Sequence, residues 1–406
     1  MPDGQQSLAR DSRYAKFQED SQQVAAIGPP ATVASTIPEA LQTLAAAAGF
    51  RFNGDAPWDI RVVDERVYQR VLMKGSLGFG ESYMEGWWEC ECLDQLFHRL
   101  LSADVDQAIA RWTRLRAFAE ALRRALFNPQ SSQRAYVVAE RHYDLGNDLF
   151  ETMLDSTLSY SCAYWQRAAT LEEAQRDKLD LICRKLDLQD GERLLDIGCG
   201  WGGLAQHAAR NYGAKVLGIT VSKEQQALAR ARCAGPPVRI ELMDYRDLGG
   251  QFDKVVSVGM FEHVGVRNYA PFFAIADRLL KDQGLFLLHT IGSYRPTRQV
   301  DPWINKYVFP NGQLPSAAQI AASVEKHFLI EDWHSFGADY DRTLMAWWEN
   351  FQAGWPRLEA RYGARFYRMW QYYLMSCAGF FRARQGQLWQ LVLAKRGRSA
   401  AYCPVR

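Results

Sequence analysis

No apolar run in this sequence approaches the ~18 residues that a membrane-spanning helix needs. Net charge is also nearly absent. Lys and Arg number 48 against 46 Asp and Glu, which leaves +2. The chain therefore lacks the bulk basic field of a nucleic-acid binder, although local patches stay open. Cysteine is sparse, with eight residues scattered along 406 and neither a CxxC pair nor a Cys/His zinc spacing. A disulfide framework and a metal site are not expected, and a reducing, cytoplasmic setting is favoured. The first residues, MPDGQQSLARDSRYAKFQED, carry no apolar core and are not expected to be a signal peptide. Any meeting with a membrane is expected at its surface.

What the chain has in excess is rings: 13 Trp, 18 Tyr and 20 Phe. They suit a large ordinary core and, equally, a protein that handles something greasy. They gather at 79–88, 160–165, 303–309 and 333–381, beside the motifs described below.

Composition divides the chain. Residues 1–37 read as a tail, 38–127 as a mainly helical N-terminal domain, 128–138 as a linker and 139–406 as a larger second domain. Within the second part, Ala40–Phe50 is predicted helical and Ile60–Asp64 a short strand. The glycine-rich run Lys74–Tyr83 is predicted to break the helical pattern, and Gly86–Leu101 to resume it. At 111–134 six arginines (Arg111, Arg114, Arg116, Arg123, Arg124 and Arg134) face one acid, Glu120, a local net of +5. Such a face suits anionic headgroups, or is a solvated helix surface.

From about 135 strand-like runs alternate with helical ones, at Arg193–Ile197, Lys215–Thr220, Val238–Met243, Phe252–Val258 and Gly284–Thr290. That alternation predicts a doubly wound, mostly parallel α/β sheet. Pro302–Arg384 reads as a mostly helical insertion on the sheet's ligand edge, and Gln387–Leu393 as a last strand.

Leu194–Gly203 runs a strand into a glycine-rich turn (LLDIGCGWGG). Gly198, Gly200 and Gly203 allow a ligand to lie against the backbone, and alone they also fit a dinucleotide fingerprint. Two observations favour S-adenosylmethionine. Asp196 precedes the first glycine, where a dinucleotide site usually has an apolar residue. The second strand ends at Thr220 and Val221 with no acid for a ribose diol. Many methyltransferases do carry that acid, so ribose contacts pass to Gln225 or a neighbour. Asp244 and Tyr245 are placed for the adenine edge and ring face, or for a helix cap.

Taken with GSLGFGESYMEGWWE at 75–89, ERHYDLGNDLF at 140–150, YSCAYW at 160–165, FEHVG at 261–265, LHTIG at 288–292 and DPWINKYVFPNG at 301–312, the chain resembles the bacterial cyclopropane-fatty-acyl-phospholipid synthases, relatives of the mycolic acid cyclopropane synthases. The resemblance implies a Rossmann-like methyltransferase fold. It also implies transfer of a methylene from S-adenosylmethionine to a cis double bond of an unsaturated phospholipid in a membrane. It further implies a bound bicarbonate as base, with Cys162, Glu262, His289, the backbone at Ile291 and Tyr340 as its ligands. By resemblance Cys377 is a second candidate, a position once proposed as a catalytic thiol. A thiolate close to the carbocation that methyl transfer leaves on the acyl chain would be alkylated, and the helical spacing of 364–383 suits packing. Tyr160 and Ser161 are expected to close over the cofactor's methionine end, with His142 and Tyr143 ordering that lid. Trp87, Trp88, Trp347 and Trp348 line an acyl tunnel or fill cores. A homodimer, docked peripherally on the inner face of the membrane without a nucleic-acid partner, completes the expectation. Its rivals are another S-adenosylmethionine-dependent methyltransferase on this scaffold and a non-catalytic lipid binder.

Overall fold

Leu194, Leu195 and Ile197 are buried in consecutive and alternate positions, so this strand has both faces covered and belongs mid-sheet. The computed structural model, which describes residues 36–103, 146–297 and 300–406, puts it there. Seven strands form the main sheet: β1 (Arg193–Ile197), β2 (Lys215–Thr220), β3 (Val238–Leu242), β4 (Phe252–Val258), β5 (Leu280–Ser293), β6 (Phe328–Ser335) and β7 (Gly386–Lys395). Their order is β3-β2-β1-β4-β5-β7-β6. The first five are parallel, and β7 runs antiparallel between β5 and β6. The strand order reverses at β1 and β4, and there the carboxyl ends open a crevice, the usual ligand position in such sheets.

One apolar layer, including Phe261, Phe272, Phe273 and Phe286, covers one side. The other holds Leu179, Ile182, Leu204 and Ala208 from the helices Leu171–Lys185 and Gly203–Tyr212. Thr170 starts the first of these helices with a reciprocal capping box to Glu173. The expected doubly wound sheet is therefore present, and its strands match the predicted runs closely.

Three local expectations differ. Lys74–Tyr83 does not interrupt helical structure throughout. Arg66–Lys74 and Ser76–Met84 are two helices hinged at Gly75. Gly80 is needed for contact, since a Cβ there would lie 2.3 Å from Trp303. The region after Gly86 is not continuously helical either. Trp88–Glu89 pairs with Arg61–Val62 as a short antiparallel ladder, and the helix begins only at Leu93. Finally, the segment read as a helical insertion contains β6. Leu329 and Ile330, adjacent on this edge strand, are 48% and 41% exposed, and its register shifts between Ile330 and Asp332. That disrupts the period-two alternation that announces a strand.

Glu39–Arg406 clusters as one compact unit. Within it, the Leu93–Ser102 helix packs on the long Asp339–Arg382 helix, where Phe97 meets Tyr372 edge to face at 5.0 Å. That long helix is interrupted at Gly363. The arginine-rich stretch 111–134, the start of the ERHYDLGNDLF motif with His142 and Tyr143, and the predicted linker 128–138 lie outside the described residues. No helix among the described residues is long and apolar enough to cross a membrane.

Candidate active site

The turn after β1 rises through Gly198 and Gly200 at positive φ (84° and 55°). A Cβ on Gly200 would meet no protein atom within 4 Å. It would instead stand in the cavity that this residue lines. At Gly200 the turn thus leaves its backbone clear for a ligand, while Gly198 is packed against Met260. From β1 itself Asp196 enters the same cavity. It is buried, burial lifts its carboxyl to about 7 against the pull of Lys178, and its Oδ2 has no hydrogen-bond partner.

Gly203 completes the turn on this wall. Thr220, Val221 and Gln225 come from the end of β2 and the following helix. The Thr220 hydroxyl donates to Gln225 Oε1 at 2.7 Å, which leaves the amide hydrogens of Gln225 as the donating end. Asp244 and Tyr245 follow β3. Asp244 is held by Arg246, through the backbone amide at 3.0 Å and Nε at 2.8 Å, so it also caps its short turn. The Tyr245 ring is largely buried and packs edge to face on Phe272.

Tyr160 and Ser161 form the opposite wall. Two elements hold their segment. Gln175 Nε2 donates to the Ser159 and Ser161 carbonyls at 3.1 and 2.9 Å. Thr343 Oγ1 accepts from the Ala163 amide at 3.1 Å and from Trp165 Nε1 at 2.9 Å. The Tyr160 and Tyr373 hydroxyls share a 2.8 Å hydrogen bond. All eleven residues proposed from sequence for the cofactor therefore border one cavity. Lys178, His263, Pro310 and Asn311 border it as well. The last three lie inside FEHVG and DPWINKYVFPNG. Lys178 had no signal, because one lysine in an amphipathic helix looks like any solvated lysine.

The second group does not line this cavity but gathers around Glu262. Glu262 Oε1 accepts from the Ile291 amide at 2.6 Å, and its buried Oε2 has no partner. Burial lifts its carboxyl to about 7, against that amide hydrogen bond. His289, on β5 two residues before Ile291, is buried and pushed well below the ordinary imidazole range. Gln390 Nε2 contacts its Nδ1 at 3.2 Å, and its Nε2 has no partner. With Gln390 donating, the neutral ring carries its proton on Nε2. Tyr340 stacks on Phe381 at 4.4 Å, and its hydroxyl feels the fields of Cys162, Glu262, Tyr160 and Cys377. Cys162 lies 3.9 Å from Thr343 Oγ1, one helical turn from Tyr340. Cys162, Glu262 and Tyr340 are thereby drawn together, with Ile291 bonded to Glu262. Cys377 lies on the same side, in the field of Tyr340 and Tyr373. Burial pushes its thiol up to about 12 and that of Cys162 well above the ordinary value.

Trp347 is fully buried between Tyr160 and Tyr340, with ring centroids at 5.1 and 6.1 Å. Trp88 stacks on Phe79 at 4.2 Å, and Trp348 packs against Phe351. Trp87 lies under the guanidinium groups of Arg66 and Arg70.

Known proteins share this sequence and fold. Residues 130–391 match the family described as mycolic acid cyclopropane synthetase. The chain is 57% identical over 355 residues to the cyclopropane-fatty-acyl-phospholipid synthase of Escherichia coli (strain K12), covering 87% of this chain and 92% of that one. The solved cyclopropane synthase MmaA2 from Mycobacterium tuberculosis superposes with a TM-score of 0.61 at 35% identity, over 64% of this chain and 98% of that one. Mycolic acid cyclopropane synthase CmaA1, solved in complex with SAH and CTAB, gives 0.61 at 34% identity with the same coverage.

Proposed function

The chain belongs to the cyclopropane-fatty-acyl-phospholipid synthase family of S-adenosylmethionine-dependent methyltransferases, and on that premise we propose that it transfers a methylene to the cis double bond of unsaturated phospholipid acyl chains, forming a cyclopropane. The observation that carries this reading is Glu262, whose Oε1 holds the Ile291 amide and whose buried Oε2, close enough to act on the Tyr340 hydroxyl, has no partner among the described residues. A simple methyl transfer to nitrogen needs no such site.

The cavity fits S-adenosylmethionine on three counts. The turn is clear at Gly200, Asp196 brings an unsatisfied carboxylate oxygen, and Gln225 presents donors near the end of β2. Bound there, this cofactor supplies an electrophilic methyl group. An alkene is a weak nucleophile, so the walls must hold the chain at near-attack distance. The cation that develops on the chain needs faces that attract it and exclude water. The rings of Tyr160, Tyr340 and Trp347 supply both.

Ring closure also needs a proton removed. Bicarbonate would supply a base that is not itself a protein nucleophile. The donor set suits such an oxyanion: His289 offers Nε2–H, Tyr340 its hydroxyl and Cys162 its thiol. Glu262, balanced near neutrality, can hold or accept a proton at Oε2. The Ile291 amide supports the group indirectly, since it donates to Glu262 Oε1. Neutral thiols at Cys162 and Cys377 suit a site that must not trap a cation, because the thiolate is the nucleophilic form. The reading extends to a homodimer docked peripherally on anionic lipid through the arginines of 111–134.

The test is incubation with unsaturated phospholipid vesicles and labelled cofactor, followed by mass analysis of the acyl chains. The expected product gains one CH2 and loses its double bond. A gain with the double bond retained would instead favour a methyl-branching enzyme. No gain removes both enzymatic readings.

A further inference from the structure

Three lysines are buried among the described residues: Lys178, Lys185 and Lys254. Lys185 pairs with Asp332 at 3.2 Å, and Lys254 lies 3.7 Å from Glu192. Lys178 differs. Among the described residues it has no carboxylate within the 4.0 Å of an ion pair. Its Nζ donates to Ser161 Oγ at 2.8 Å. Both residues line the cofactor cavity.

A buried, unpaired ammonium is costly unless something compensates it. Anchoring the Tyr160–Ser161 wall does not explain the charge, because the neutral Gln175, one turn earlier, already holds that wall by two carbonyls. Lys178 also feels Asp155 and Asp196 at longer range, and burial lowers it to about 8, so it stays mostly protonated at neutral pH. Asp196 meanwhile offers a partnerless carboxylate oxygen to the same cavity. One buried cation and one buried acid on a shared wall form the complement of a zwitterion.

We propose that Lys178 is a binding residue for the carboxylate at the amino-acid end of an S-adenosylmethionine-type ligand, acting directly and through the Ser161 hydroxyl it holds, while Asp196 faces the ligand's ammonium. The proposal rests on the reading of this cavity as an S-adenosylmethionine site. With Lys178 donating to Ser161 Oγ, the Ser161 proton is free to be given to an acceptor in the cavity. The cation thus contributes its own charge and fixes a second donor.

The test compares three probes by calorimetry on the full chain: S-adenosylhomocysteine, its decarboxylated analogue and 5′-methylthioadenosine, which lacks the whole amino-acid end. Wild type is expected to prefer S-adenosylhomocysteine to the decarboxylated analogue by about ten- to a hundredfold, the range of one charged hydrogen bond. In Lys178→Met this preference should fall below about threefold, with 5′-methylthioadenosine bound as in wild type. If wild type binds none of the three, the S-adenosylmethionine reading itself fails. If wild type binds and Lys178→Met keeps its full preference, Lys178 does not read the carboxylate. Equal weakening of all three probes assigns Lys178 to wall structure and overturns the proposal. Lys178→Gln repeats the comparison should the methionine variant not fold, and loss of every probe in both variants also overturns it.

Discussion

The Ile291 amide donates to one carboxylate oxygen of Glu262 at 2.6 Å, and the other oxygen, buried, has no partner among the described residues. Half of the side chain is fixed and half is left available. Glu262→Gln keeps an acceptor for Ile291 and removes the group that can take a proton. Turnover on unsaturated vesicles is expected to drop by about 10²–10⁴, the usual contribution of a positioned acid or base. Affinity for S-adenosylhomocysteine should stay within about twofold. Unchanged turnover would exclude Glu262 from the proton chemistry.

The same carboxyl makes stability depend on pH. Burial raises Glu262 from 4.5 to about 7, so between these values the folded chain holds a proton that the unfolded chain has released. Its stabilising share is complete below 4.5 and is lost as pH rises through about 7. The loss is on the order of 3 kcal/mol. Melting temperature against pH should therefore fall more steeply from 4.5 to 7 in wild type than in Glu262→Gln. Parallel curves would refute the shift.

Gly200→Ala separates ligand space from folding. The added methyl meets no protein atom, and the positive φ costs about 1–2 kcal/mol. A modest fall in melting temperature should accompany a loss of S-adenosylhomocysteine affinity of about tenfold or more. Wild-type affinity would show that no ligand lies against this turn.

Cys377 is expected to tolerate replacement. Its thiol, pushed up to about 12, is protonated at neutral pH and so is a poor nucleophile. Cys377→Ser should keep turnover within about threefold of wild type, measured under saturating cofactor. A hundredfold loss would restore the catalytic-thiol view.

Much of this arrangement was legible in the chain. The strand runs around Leu195 and Val255 announced the sheet, because strands buried on both faces read as unbroken apolar segments. The turn from Asp196 to Gly203 announced the cavity, because a glycine such as Gly200, with open space where its Cβ would be, suits a ligand lying against the backbone. Other features were not legible. Leu329 and Ile330 hid an edge strand by being adjacent and exposed. Gly78 and Gly80 read as helix breakers, yet Gly78 lets its helix approach the Arg70 carbonyl and Gly80 makes room for Trp303, more than two hundred residues away in sequence. Lys178 carried no mark, since burial and the missing counter-ion are tertiary facts.

The Gly80–Trp303 contact extends to the other side of the cofactor cavity. Glu81, next in the same helix, accepts from Lys306 Nζ at 2.6 Å and Tyr307 hydroxyl at 3.1 Å. Both lie just ahead of Pro310 and Asn311 in the cavity wall. Gly80→Ala, overpacked by about 1–3 kcal/mol, should therefore lower the melting temperature and also weaken S-adenosylhomocysteine. Lower stability with wild-type affinity would mean that the strain stops at Trp303.

The seam between the Leu93–Ser102 helix and the Asp339–Arg382 helix has a practical consequence. Phe97, Phe79 and Trp303 all lie against the buried ring of Tyr372. Removing residues 39–102, which include Phe79 and Phe97, would strip cover from that ring cluster and leave an apolar patch of the sort that drives association. A form that lacks residues 39–102 is then expected to precipitate or self-associate before its chemistry can be assayed, so this segment is better regarded as part of the reactor's casing than as a detachable handle.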